Sequence, residues 1–249
     1  MNLLQFLAAM VFAFILPDTV STQSPIPPLL FPPNYQILRI SYKADSKNRW
    51  LEPGTKLHNK EASTPPQLDS LGLNLSCSRS YLIFLIDLDV ILNATTATTI
   101  LHWYQPNLVV SCNKKETSIN PSKRQKTGPA KSRAPYIGPR AKGIKHHRYV
   151  FFLFEQPRKY RFPECFSHIF PEKVDARAGF DVVQFANVAG LERLVGINWF
   201  WGGDIITTST AVATSTTPAP MTSIRVAPCK VTQPTIGLDM RERNQIVLE

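Results

Sequence analysis

The sequence predicts a mostly β domain with minor α content. Three segments carry that reading: residues 81–86 are a continuous apolar run without helical spacing, residues 101–110 are rich in Trp, Tyr and Val, and residues 149–154 form a third core strand. Runs of this kind suit strands covered on both faces. A single amphipathic stretch, residues 180–189, supplies helical periodicity. At 249 residues the chain holds one domain of ordinary size with tails.

In chain order, residues 1–16 are nearly free of polar side chains, broken only by Asn2 and Gln5, and Pro17 stops the run. With the small residues Ser21 and Thr22 as a cleavage point, residues 1–22 read as a secretory signal peptide, too short for a membrane span. Residues 24–36 are Pro-rich and extended. Residues 37–42 alternate as a half-buried strand, and Pro53-Gly54 and Thr64-Pro65-Pro66 mark turns. Residues 113–145 read as a long basic loop. Between 114 and 148 eleven Lys and Arg face Glu116 alone, +10, which equals the net charge of the whole chain. This stretch lacks aromatic interleaving and sits among Gly, Pro and Ser, so nucleic acid is not the expected partner. In residues 180–189, Phe180, Val183 and Ala186 recur at helical intervals, with Val182 and Phe185 widening the stripe. Residues 191–201 fit either a closing helix turn or a strand. Residues 204–249 read as a Thr/Ser/Pro-rich disordered tail.

The ends of the apolar runs carry the chemistry. Asp87 and Asp89 close the first run, His102 lies in the second, and His147 precedes the third. A buried strand that ends in a charge delivers it to a rim or pocket, because an unpaired charge in the apolar layer costs several kcal/mol, about 3–5. Asp87 and Asp89, two apart on a strand, are expected on one face. His102 and His147 are their expected partners, each favoured in its charged form beside a carboxylate. Such a pocket suits a phosphate or a zwitterionic headgroup. The competing possibility is plain buried polar pairing. No Ser sits in a nucleophile-elbow motif and no Cys adjoins a base, so an enzyme is not expected, nor is a cofactor or a metal.

Asn74-Leu75-Ser76 and Asn93-Ala94-Thr95 are glycosylation sequons that agree with export. Cys77, Cys112, Cys165 and Cys229 are even in number without metal-ligand spacing, and in a secreted protein they read as two disulfides with three possible connectivities.

The order Asp87-Leu88-Asp89, Leu101-His102-Trp103, Tyr136-Ile137-Gly138-Pro139 and residues 143–156, with His147-Arg148-Tyr149-Val150 as the most specific part, resembles the phosphatidylethanolamine-binding protein family, in its secreted fungal type. That family includes the Raf-kinase inhibitor proteins and the yeast carboxypeptidase inhibitor. The resemblance covers about residues 29–202, so the domain is placed at 29–203. It implies a large central antiparallel sheet with a smaller sheet and a few peripheral helices. It also implies a small anion site formed by Asp87, Asp89, His102, Gly138, Pro139, His147 and Tyr149. The chain departs from the family at the Asp pair, where Leu88, Val90 and Ile91 replace prolines and small residues, and after Pro139, where Arg140-Ala141-Lys142 stands. The expected function is non-catalytic binding of a phosphate-bearing small molecule or phospholipid headgroup. The rival is inhibition of a protease or kinase through surface loops, and a basic-loop contact with acidic lipid or cell wall is a third. No transmembrane segment is expected in the mature chain.

Overall fold

The computed structural model describes residues 35–44, 47–93, 96–113, 115–122, 133–141, 146–170, 174–204 and Cys229. The expected signal peptide, residues 1–22, lies outside them, as does the expected tail, residues 204–249, apart from Asp204 and Cys229. Nine strands are seen among the described residues: β1 (Arg39–Ala44), β2 (Lys47–Trp50), β3 (Thr55–Leu57), β4 (Gln67–Asp69), β5 (Ser80–Asn93), β6 (Thr96–Val110), β7 (Ser118–Pro121), β8 (His147–Gln156) and β9 (Leu194–Gly202). They form one sheet in the order β2-β1-β4-β7-β6-β5-β8-β9-β3. All pairings are antiparallel except β3 with β9. The mostly β class therefore stands, and the strands of the expected smaller sheet are joined to the large one through the β4–β7 pairing. The sheet also curls. Ile37 bridges Ile197 in β9, and Leu38 N–H donates to the Ile197 carbonyl, which brings the chain just before β1 to the far edge.

The long apolar runs occupy the middle of this sheet because both of its faces are covered. On the inner face Tyr81, Ile83 and Leu85 of β5 meet Tyr149, Phe151 and Leu153 of β8, with Tyr42, Trp103 and Phe200. On the outer face Phe84 stacks on Tyr104 and contacts Phe154, Phe180 and Phe185. The outer cover is the 3-10 helix Glu164–Ile169 and α1 (Val182–Ala189). Asp181 caps α1 by accepting from the Val183 and Gln184 amides, and Gly190, at φ 67°, ends it in the left-handed conformation. The buried face of α1 is set by Val182 and Phe185, while Val183, expected inside the stripe, is exposed. Of residues 191–201, those from Leu194 onward are strand, and β9 is nearly all buried.

Two tethers fix the periphery. Cys77 is bonded to Cys112 and Cys165 to Cys229, which settles the connectivity that spacing left open. The second joins the expected tail to the outer cover, so Cys229 is a buried anchor rather than part of a free segment. The described residues of the 113–145 stretch include regular pairing. It contains β7, and beyond it Ala134 pairs with Tyr104 and the Ile137 N–H donates to the His102 carbonyl.

Candidate functional site

The site forms where the register of β5 against β6 slips twice. Leu85 pairs Trp103 and Ile86 pairs Leu101, which leaves His102 as an extra residue; Asp87 then pairs Ile100 while Val90 pairs Thr98, which leaves an extra residue on β5. Bulges re-aim side chains. The first keeps His102 beside Tyr149 on the inner face, their rings edge-to-face with centroids 5.1 Å apart. The second carries Asp89 away from Asp87.

Asp87 and Asp89 therefore do not share partners on one face, as simple alternation predicts. Asp87, almost fully buried and directly paired with Tyr149, holds His147: Oδ2 lies 2.8 Å from His147 Nδ1, and Oδ1 accepts the Asp89 amide at 2.9 Å. Asp89 instead holds Arg148, accepting its amide at 2.8 Å and its Nε–H at 2.7 Å, with Nη2 on the other oxygen. His147 and Arg148 are consecutive strand residues, so their side chains leave opposite faces. Burial alone would raise the Asp89 pKa, but the hydrogen bonds and charge of Arg148 outweigh it and hold it below the usual carboxylate range.

The two histidines are shifted in opposite directions. The hydrogen bond to Asp87 raises His147 above the ordinary imidazole value, against the cost of partial burial, and both carboxylate charges add to the rise. When the imidazole is protonated both ring nitrogens carry a proton, and Nε2 is the one not held by Asp87. His102 is not the charged partner that the sequence suggests. Burial lowers its pKa, and the charges of Arg177 and Arg140 push the same way, against the Ile137 carbonyl and Asp87. Its Nδ1 lies 2.8 Å from the Ile137 carbonyl oxygen, which only accepts, so Nδ1 carries the proton.

Tyr149 is the centre of the cluster. Its ring contacts His102, stacks on Phe200 and runs parallel to His147. Burial and the nearby Asp87 charge raise its pKa far out of the physiological range, and the Arg140 and Ala141 backbone amides point to its hydroxyl. Gly138 lets that wall close: a Cβ there would sit 2.9 Å from Ser63 Cα, too near for any other residue. Tyr136 Oη donating to the Ala62 carbonyl and Asn59 Nδ2 donating to the Ala141 carbonyl pin it on either side of the buried Pro139.

Sequence reading missed Arg148, the Ile137 carbonyl, Arg177 and Gly202. A Cβ on Gly202 would lie 2.6 Å from Tyr149 Cε2, so that glycine makes room for the ring. Arg148 was legible within the His-Arg-Tyr motif; the others depend on contacts distant in sequence. Among the described residues no three His, Cys, Asp or Glu side chains converge as metal ligands. A separate groove of about 930 Å³, lined by Trp50, Trp103, Gln105, Tyr136, Lys115 and Arg133 among others, includes none of Asp87, Asp89, His102, His147 or Tyr149.

Residues 46–199 match the family described as "Phosphatidylethanolamine-binding protein". The chain belongs to that family. It is 34% identical over 159 residues to "Phomoidride biosynthesis cluster protein N" of Talaromyces stipitatus, covering 60% of this chain and 77% of the relative. It is 39% identical over 136 residues to the protein of the same description from Fungal sp., covering 54% of this chain and 58% of the relative, little more than half its length. Among solved structures it is similar to a carboxypeptidase Y inhibitor complexed with the cognate proteinase, at TM-score 0.45 and 20% identity over 67% of this chain and 82% of that one. It is also similar to a phosphatidylethanolamine-binding protein from Plasmodium falciparum, at TM-score 0.43 and 19% identity over 71% of this chain and 91% of that one.

Proposed function

We propose that this chain is a secreted, non-catalytic binding protein whose Asp87–His102–His147–Tyr149 cluster takes a small phosphate-bearing or other anionic ligand. The observation that carries the reading is the 2.8 Å contact of His147 Nδ1 with the buried Asp87, which fixes the ring and favours the protonated form, in which Nε2 is a charged donor. Two or three charge-assisted hydrogen bonds of about 1.5–3 kcal/mol each give micromolar to millimolar affinity. All four cysteines are in disulfides, so none is a nucleophile, and disulfides belong with export. Asn74 is exposed and open to glycan, whereas the Asn93 side chain lies outside the described residues.

Calorimetric titration with inorganic phosphate and phosphoethanolamine at pH 6 tests the reading. Binding by the wild type and a loss of about tenfold or more in His147→Ala, about 1.4 kcal/mol, are expected; an unchanged affinity refutes it. The names of both curated relatives favour a second reading of the same pocket, in which its anionic occupant is an intermediate of a biosynthetic pathway rather than a lipid headgroup. Preference for a soluble acid over phosphoethanolamine would select it. The rival, inhibition of a protease or kinase by surface loops, requires partner binding that is indifferent to His147→Ala. Among the described residues no helix is long and apolar enough to cross a membrane.

A further inference from the structure

The groove that stands apart from the anion cluster contains polar groups that the fold leaves unused. It runs along β6, β7 and β4, which are neighbours in the sheet. Its volume of about 930 Å³ lies near the top of the range of about 300–1,000 Å³ for small-molecule sites. Leu68, Leu108 and Ile119 are its buried apolar lining. Trp103 and Gln105 also line it, and they are only 8% and 9% exposed. They lie two apart where β6 pairs regularly with β5, so both side chains leave the same face. Gln105 gives an amide N–H to the Pro106 carbonyl at 2.9 Å, but among the described residues its Oε1 accepts no hydrogen bond and the Trp103 indole N–H donates none. Groups this shielded are normally paired. Neither atom is among the wholly enclosed ones that lack partners, so both stay reachable, and the groove is the opening that their residues line. Trp50 adds an indole that is 41% exposed and is braced by the Arg39 guanidinium, 4.6 Å from its ring centroid. The charged residues of the described lining, Asp69, Glu116, Lys115 and Arg133, cancel one another in a chain of net charge +10.

An unused donor beside an unused acceptor selects a group that does both. A hydroxyl accepts from one and donates to the other, whereas a carboxylate or phosphate only accepts, an ammonium only donates, and an alkyl chain leaves both unpaired. A hexose ring carries hydroxyls around its rim and C–H groups on its faces. In the glucose configuration the hydroxyls are equatorial, so the faces are flat and apolar and fit an exposed indole. The cancelled charges of the lining match a neutral ligand. We propose that this groove binds a neutral oligosaccharide of glucose-configured rings, with Trp103 and Gln105 meeting its hydroxyls and Trp50 stacking on a ring face.

Calorimetric titration of the full chain with cellotetraose and with tetra-N-acetylchitotetraose, at about 50 mM and about 500 mM salt, tests this. At least one sugar should bind saturably, with an affinity that changes by less than about twofold between the two salts. Trp50→Ala should weaken binding about tenfold or more, as the loss of an aromatic anchor does, and Gln105→Leu about threefold or more. No binding of either sugar up to about 10 mM, or an unchanged affinity in Trp50→Ala, would overturn the inference. Displacement of the sugar by phosphoethanolamine would place it in the anion cluster instead and would also overturn it. Binding of dextran sulfate alone, lost at the higher salt, would assign the groove to Lys115 and Arg133 and overturn it. Binding of a proline-rich peptide without either sugar would do the same. If a variant does not fold, oxidative footprinting of the wild type decides the matter: saturating sugar should protect Trp50, and unprotected oxidation would refute the stacking.

Discussion

The Asp87–His147 pair offers a direct measure of how the site is held together. In His147→Ala the carboxylate keeps the Asp89 amide as a donor but loses its cation, while remaining almost wholly buried. Breaking a fully buried pair costs about 3–5 kcal/mol. The His147 side chain is 21% exposed, so water enters and the expected loss falls to about 2–3 kcal/mol. Asp87→Asn retains an acceptor for Nδ1 and should cost less, about 1–2 kcal/mol. The double variant isolates the coupling, expected near 1.5–3 kcal/mol at pH 6 by urea unfolding of all four proteins. The sign of its pH dependence follows from the raised His147 pKa. The stabilisation is fully present below the unfolded imidazole value of about 6.5 and is lost as pH rises through the folded value. Coupling at pH 9 should therefore be smaller than at pH 6. A coupling under about 0.5 kcal/mol at pH 6, or one that grows with pH, would refute the ion-pair account.

Asp89 behaves oppositely: its lowered pKa stabilises the fold above the unfolded value of about 3.9 and the effect is lost as acid brings pH down through the folded value, so Asp89→Asn should flatten the pH 2–5 limb of a urea-midpoint profile. Gly202→Ala forces a methyl against the Tyr149 ring and should lower stability by about 1–3 kcal/mol, with a changed tyrosine environment in near-ultraviolet circular dichroism. Cys229→Ser opens a 64-residue link and should cost about 2–5 kcal/mol in thermal or urea unfolding, so truncation after Gly203 should destabilise the domain more than the Thr/Ser-rich composition suggests. Intact mass of protein exported from a eukaryotic host should show a start near Gln23 and an N-glycan on Asn74 or Asn93; a retained Met1 without hexose contradicts export.

What sequence alone made legible is what local chemistry dictates. The three apolar runs had to become central strands, because nothing shorter than a two-sided cover accounts for continuous Tyr, Phe and Leu in residues 81–86 and 149–154. Their charged ends located the site, and the His-Arg-Tyr segment gave the family. Tertiary structure decided the rest. Alternation put Asp87 and Asp89 on one face, but two register slips, set by how β5 and β6 fit together, gave Asp87 to His147 and Asp89 to Arg148. Two histidines that read alike in sequence are shifted in opposite directions, His147 upward by its hydrogen bond to the Asp87 carboxylate and His102 downward by burial. Disulfide pairing, the anchoring of Cys229 and the clearance that Gly202 gives Tyr149 join residues 35 to 64 positions apart. Local periodicity reports which residues a strand buries, while partners across such distances are chosen only when the sheet closes and each buried polar group must find its complement.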